Sequence, residues 1–172
     1  AGFAGPAVVG ERVILFHRVG AEEVVEALVA ESGETVWRYA YQSTYRDDFG
    51  FDEGPRSVPV VADGRVHTYG AQGQLHTVDL ETGEALWQVD THARYGVRKG
   101  FFGAAGSPLV EAGRLVANVG GSRGGIVAFD AATGDELWTA TTDESSYSSP
   151  VGATFDGRRH VLFFTRNGLV GL

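Results

Sequence analysis

The chain of 172 residues contains neither cysteine nor methionine. Without thiols there is no disulfide framework and no thiolate metal site. Without even an initiating methionine the chain reads as a processed product or an excised piece, so a missing leader carries no information. No run approaches 18 apolar residues, which excludes a membrane-spanning helix. Basic clusters are equally scarce. The net charge is −8, and the densest basic stretch holds only Arg94, Arg98 and Lys99. Nucleic acid is therefore not an expected partner, because phosphate binding needs a clustered basic surface.

Glycine, by contrast, is abundant: 25 residues, about twice the usual share, placed in turns between short apolar runs as in an all-β protein. Three further signals recur at a fixed period. Ala27 to Trp37, Thr77 to Trp87 and Ala128 to Trp138 each carry a Ser-Gly or Thr-Gly pair followed four residues later by tryptophan. The tryptophans are 50 and 51 residues apart. Such a period, with a turn feeding a tryptophan, predicts a radial array of four-stranded antiparallel sheets, a β-propeller.

Aligned on the tryptophans, each unit opens at or near a proline (Pro6, Pro59, Pro108, Pro150), makes a tight turn and continues through two more strands into the tryptophan strand. Blades are expected at about 6–41, 58–91, 107–142 and, incomplete, 149–172, which gives three full blades and three strands of a fourth. Glu22–Ala30 has the pattern of an amphipathic helix, but the repeat frame makes it a third strand. The residues with an expected structural role are Gly33, Trp37, Asp79, Gly83, Trp87, Asp130, Gly134 and Trp138. Aspartate accepts turn N–H groups, glycine supplies positive φ, and the indole packs on the neighbouring blade with its N–H on a carbonyl. Val29 and Ser32 replace Asp and Thr in the first unit, so a looser turn is expected there.

The pattern Ala-x-Asp-x-x-Thr-Gly-x-x-x-Trp, met in full from Ala128 to Trp138, resembles the tryptophan-docking repeat of the quinoprotein-type propellers. That group includes dehydrogenases using pyrroloquinoline quinone (PQQ), BamB-like lipoproteins of outer-membrane barrel assembly, and bacterial PQQ-like repeat proteins. The resemblance covers essentially the whole chain. It implies a partial propeller belonging to a larger ring, eight blades being the expected number, and a periplasmic or cell-envelope location. Two copies meeting in one ring would cover the apolar faces of an isolated stack, so a homodimer is expected of the chain alone.

Function is expected on the face carrying the long loops Gln42–Ser57, Thr91–Ser107 and Thr141–Ser149, since irregular loops on a rigid scaffold are the usual carriers of binding. Candidate contacts for a protein or peptide partner are Tyr45, Arg46, Asp48, Arg56, Tyr95, Arg98, Phe102 and Tyr147. Asp47, Asp48, Asp52 and Glu53 are weak calcium candidates, since their spacing fits no standard calcium loop. Tyr45, Phe49 and Phe51 are expected to pack their loop down. The basic loop can neutralise the acidic one beside it, or hold an anionic ligand or acidic peptide. His67 and His76 read as sheet-face residues, and His17, His92 and His160 lack ligand spacing.

Two functions follow from the resemblance. One is a non-catalytic scaffold with no cofactor. The other is a fragment of a PQQ- and calcium-dependent dehydrogenase, in which a catalytic aspartate and a calcium held by Glu, Asn and Asp sit under a quinone, often roofed by adjacent cysteines. The chain has no cysteine and only two asparagines, Asn118 and Asn167, which favours the scaffold.

Overall fold

The structure is a computed structural model that describes residues Ala1–Leu172. Strands β1 (Ala7–Val9), β2 (Arg12–Val19), β3 (Glu22–Val29) and β4 (Thr35–Gln42) form the first sheet. The second holds β5 (Val60–Ala62), β6 (Arg65–Tyr69), β7 (Gln74–Asp79) and β8 (Ala85–Asp90). The third holds β9 (Leu109–Glu111), β10 (Arg114–Gly121), β11 (Gly124–Asp130) and β12 (Glu136–Ala140). The fourth has three strands, β13 (Val151–Phe155), β14 (Arg158–Phe164) and β15 (Leu169–Gly171). Each sheet is an antiparallel meander in chain order, and contacts between β1 and β5, β5 and β9, and β9 and β13 bring the first strands together. The chain is all-β, a partial propeller. Glu22–Val29 is the third strand that the repeat requires, its helical pattern overridden by pairing on both edges.

The core lies between blades. Ile14, Phe16, Val25 and Trp37 pack with Val66 and Val78; Tyr69 and Leu75 pack with Leu115, Val127 and Phe129; Val116, Ile126 and Ala128 pack with Phe163. Alternation along each strand thus feeds two different interfaces, one on each face of the sheet. The fourth sheet leaves Val151, Phe155, Phe164 and Leu169 exposed.

The turn before each tryptophan is built as its chemistry dictates. Asp79 Oδ1 accepts from the backbone N–H of Glu81 and Thr82, both at 2.9 Å, and Asp130 Oδ1 from Ala132 and Thr133 at 2.8 and 3.0 Å. In the first unit Val29 cannot do this, yet the closing bond from Gly33 N–H to the Val29 carbonyl, 2.8 Å, matches the 2.9 Å bonds of Gly83 and Gly134. The backbone turn is therefore no looser there; only the carboxylate bonds are lost. A bulge then places Val36, Leu86 and Leu137 out in solvent, each immediately before its tryptophan. A bulge re-aims the next side chain, and the indoles reach the following blade. Trp37 Nε1 donates to the Leu80 carbonyl at 2.9 Å and Trp87 Nε1 to that of Ala131 at 3.2 Å.

Each of these indoles lies flat against the next turn's glycine. A Cβ at Gly83 would sit 2.6 Å from Trp37, and one at Gly134 2.7 Å from Trp87, whereas one at Gly33 would meet nothing within 4 Å. All three have φ between 73° and 77°. Gly33→Ala should then cost only the left-handed conformation, roughly 1–2 kcal/mol, while Gly83→Ala and Gly134→Ala add an overpacking cost of about 1–3 kcal/mol. Urea denaturation of the three variants measures the difference; equal losses would mean that the indole does not rest on the glycine.

Candidate functional site

The connections between blades and the turns joining the second and third strands lie at one end of the array. The first connection is fixed by a residue that sequence reasoning did not single out. Arg18, buried at the end of β2, donates to the carbonyls of Gly20, Ser43, Tyr45 and Glu53 at 2.9–3.0 Å. A guanidinium has five donors in a rigid fork, so one side chain ties three points of the loop to the β2–β3 turn of the blade. Arg56 adds a second clamp. It pairs with Asp47 at 3.2 Å, donates to the Asp52 carbonyl, and lies over the rings of Phe3, Tyr45 and Phe102 at 5.5–5.7 Å.

These clamps correct several sequence expectations. Tyr45 is 3% exposed and Tyr95 is 3% exposed, so neither is available to a partner. Tyr95 belongs to the second interblade core, its hydroxyl donating to Glu136 at 2.7 Å. Arg56 is spent inside its loop. Conversely, Phe49 and Phe51 do not pack the loop down: they are 54% and 70% exposed. The loop needs no aromatic anchor from them, because Arg18, Arg56 and the Asp47 carboxylate, which accepts from the N–H of Phe49 and Phe51, already hold it. Of the candidate contacts, Arg46, Asp48 and Arg98 are exposed and Phe102 and Tyr147 half-buried.

The four loop carboxylates turn to four different places. Asp47 faces Arg56, Asp48 pairs with Lys99, Asp52 accepts from the Gly54 N–H, and Glu53 pairs with Arg46. Calcium takes six to eight converging oxygens, and no three His, Asp or Glu side chains are grouped to hold a metal. These four carboxylates do not converge on a calcium site.

The second connection begins with a short helix, α1 (Thr91–Tyr95), inside a segment read from sequence as irregular. Its signals were present. Asp90 caps it by accepting from the Ala93 N–H at 2.9 Å, and Gly96 ends it at φ 69°, the usual brackets of a helix. The helix places His92 between two clefts. One, of about 230 Å³, has Arg98, Tyr147 and Arg166 in its wall; the other, of about 360 Å³, has Thr44, Arg46 and Gln72; His92 and Lys99 line both. Burial pushes the His92 pKa down, which favours the neutral imidazole.

Beneath the face, two other buried groups escaped the sequence reading. Glu23 is fully buried, accepting from the Tyr41 hydroxyl at 2.6 Å and the Ala71 N–H at 3.1 Å, and burial raises its pKa. Tyr41 stacks on His76 with centroids 3.9 Å apart, and His76 Nδ1 bonds the Tyr39 hydroxyl at 2.9 Å. His67 Nδ1 bonds Thr77 Oγ1 at 2.7 Å. Both histidines are sheet-face residues, His67 bonding within its own sheet and His76 bracing it against the first.

A stack of four-stranded meanders, joined by first-strand contacts and by indoles that reach the next turn, defines a β-propeller segment. The family described as outer membrane protein assembly factor BamB matches residues 21–172. The chain belongs to this PQQ-like, BamB-type propeller family. It is similar to quinohemoprotein alcohol dehydrogenase ADH-IIG of Pseudomonas putida, 33% identical over 127 residues, covering 71% of this chain and 17% of that protein. It is also similar to BamB of Xanthomonas campestris pv. campestris, 31% identical over 98 residues, covering 56% and 24%. BamB from Moraxella catarrhalis shares the fold, with a TM-score of 0.63 at 24% identity over 97% of this chain and 44% of that one. The chain thus spans a quarter or less of the curated relatives it matches.

Proposed function

We propose that the chain is part of a non-catalytic PQQ-like repeat propeller that presents its loop face as a rigid platform for a protein partner, without a quinone or metal of its own. One observation carries the reading. Phe49 sits with ring centroids 6.1 Å from Phe51, 5.8 Å from Phe101 and 5.6 Å from Phe102. Three of these rings are more than half exposed, Phe49 and Phe51 on the loop pinned from beneath and Phe101 on the connection beside it. Exposed aromatic groups on a fixed backbone are typical of binding anchors, because little entropy is lost when they are covered. The candidate contacts left on the face, Arg46, Asp48, Arg98, Phe102 and Tyr147, border them. The curated relative that the family description names is by name an assembly factor, which supports a partner of protein nature and an envelope or periplasmic location. The same reading carries a ring of about eight blades, completed by further chain or by a second copy, with interblade tryptophan docking as its joint.

A photo-crosslinking phenylalanine analogue at Phe101 of the intact protein, in its own cells, should give a discrete protein adduct that Phe49→Ser diminishes. The same analogue at Glu31, in a turn at the other end of the blades, should give none. Adducts of equal yield from both positions would overturn the platform. The alternative, a fragment of a quinoprotein dehydrogenase, draws on the similarity to ADH-IIG; alcohol-dependent dye reduction after loading with PQQ and calcium would establish it instead.

A further inference from the structure

Within that face the smaller cleft has a chemistry of its own. Two of its three cations lie outside every ion pair of the structure. Arg46, Arg56 and Lys99 each meet a carboxylate, but Arg98 and Arg166 belong to none of the ion pairs. Arg166 is instead held by neutral groups. Its Nε donates to the Ser145 carbonyl and its Nη2 to the Tyr147 hydroxyl, both at 3.3 Å, and its guanidinium lies 5.3 Å from the centre of the Tyr147 ring. The side chain is therefore oriented with its charge uncompensated. Lys99, already paired with Asp48, is the third cation of the wall, and Glu144 is the one carboxylate in it.

The rest of the lining fits the same ligand. Ser122, Thr142 and Ser145 bring hydroxyls, and Gly96, Gly100 and Gly120 add no side chain to the wall. Few of the lining residues are hydrophobic, and about 230 Å³ lies below the roughly 300–1,000 Å³ typical of drug-sized pockets. A small, polar cleft with two guanidinium groups free of carboxylate partners suits an anion in charge and in hydrogen-bonding capacity. Hydrogen bonds from guanidinium to a charged oxygen are about twice as strong as neutral ones, and forked when geometry allows.

We infer that the cleft between Arg98 and Arg166 binds a compact oxyanion, a phosphoryl or carboxylate group borne by a small polar ligand. The inference rests on the platform reading for its location but is tested apart from it.

The test is titration of the isotopically labelled chain with inorganic phosphate, then citrate, followed through backbone amide signals. Saturable shifts are expected at Gly100, Gly120 and Ser145, with none on adding glucose. Tighter phosphate binding assigns a phosphoryl group, and tighter citrate binding a carboxylate. Arg98→Gln and Arg166→Gln should each weaken binding about tenfold, the loss of one charge-assisted contact. Both residues are exposed, and unchanged thermal unfolding of the variants confirms that they fold. Arg158→Gln, at the β13–β14 turn, should leave binding unaltered. Absence of saturation with either anion at tens of millimolar, or equal shifts in the double variant, would overturn the inference. Neither result bears on the crosslink from Phe101, so the cleft and the platform fail separately.

Discussion

Replacing Trp37 by alanine is expected to destabilise the chain by roughly 3–5 kcal/mol, and Trp138→Ala by much less. Trp37 is 8% exposed within the first interblade core, and its ring rests on Gly83. Its hydrogen bond is the smaller part of the effect. The Leu80 carbonyl that accepts from Trp37 also accepts from Arg12 at 2.7 Å, so removing the indole leaves no orphaned acceptor and avoids that penalty of about 1–3 kcal/mol. What remains is the lost burial and the cavity. Trp87, half-buried and bonded to Ala131, should fall between the two. Trp138 is partly buried against the third cluster, and its indole N–H makes no hydrogen bond like those of Trp37 and Trp87. Denaturant midpoints of the three variants give the ranking. Equal losses for Trp37 and Trp138 would remove the turn contact from the account of stability.

Mild acid is expected to weaken the fold through His67 and His76. Burial lowers the pKa of each from its ordinary 6.5 to about 4, and Nε2 of both is enclosed without a partner. Below pH 6.5 the unfolded chain takes up a proton at each imidazole, whereas the folded chain does so only near pH 4. The unfolded state thus binds more protons in that window, and stability falls as pH drops through it. Each histidine contributes up to about 3 kcal/mol, at 1.36 kcal/mol per unit. Glu23, with its raised pKa, acts in the opposite sense, since the folded chain protonates it first, and offsets part of the loss. Urea unfolding at pH 7 and pH 4.5 should show a large drop that His76→Gln reduces. Identical midpoints at the two pH values would contradict buried neutral imidazoles.

The fold was legible because its signal is repetition: three turns of the same composition, each four residues from a tryptophan, outvoted the helical pattern of Glu22–Ala30. The site was much less legible, because non-repeating loops have no second copy to align against. Tyr45, Arg56 and Tyr95 look like surface residues in sequence, yet their burial depends on partners far along the chain, such as Glu136 for Tyr95. Arg18 appears as one polar residue in an alternating strand, and nothing local announces four carbonyls waiting for it. Helix α1 did have a local signal in Asp90 and Gly96, which a reading centred on the repeat passed over. Likewise Arg98 lies on the connection between the second and third blades and Arg166 in the turn between β14 and β15, and only the radial arrangement brings them to one cleft.

The forward reach of each indole also sets an order of events during synthesis. Trp37 and the carbonyl it bonds are 43 residues apart, so at translation rates of about 5–20 residues per second the receiving turn emerges roughly 2–9 s after the tryptophan. Each blade leaves the ribosome with an unsatisfied indole and is locked only by its successor, so assembly proceeds from the N-terminus as a relay in which the newest blade is always the loosest.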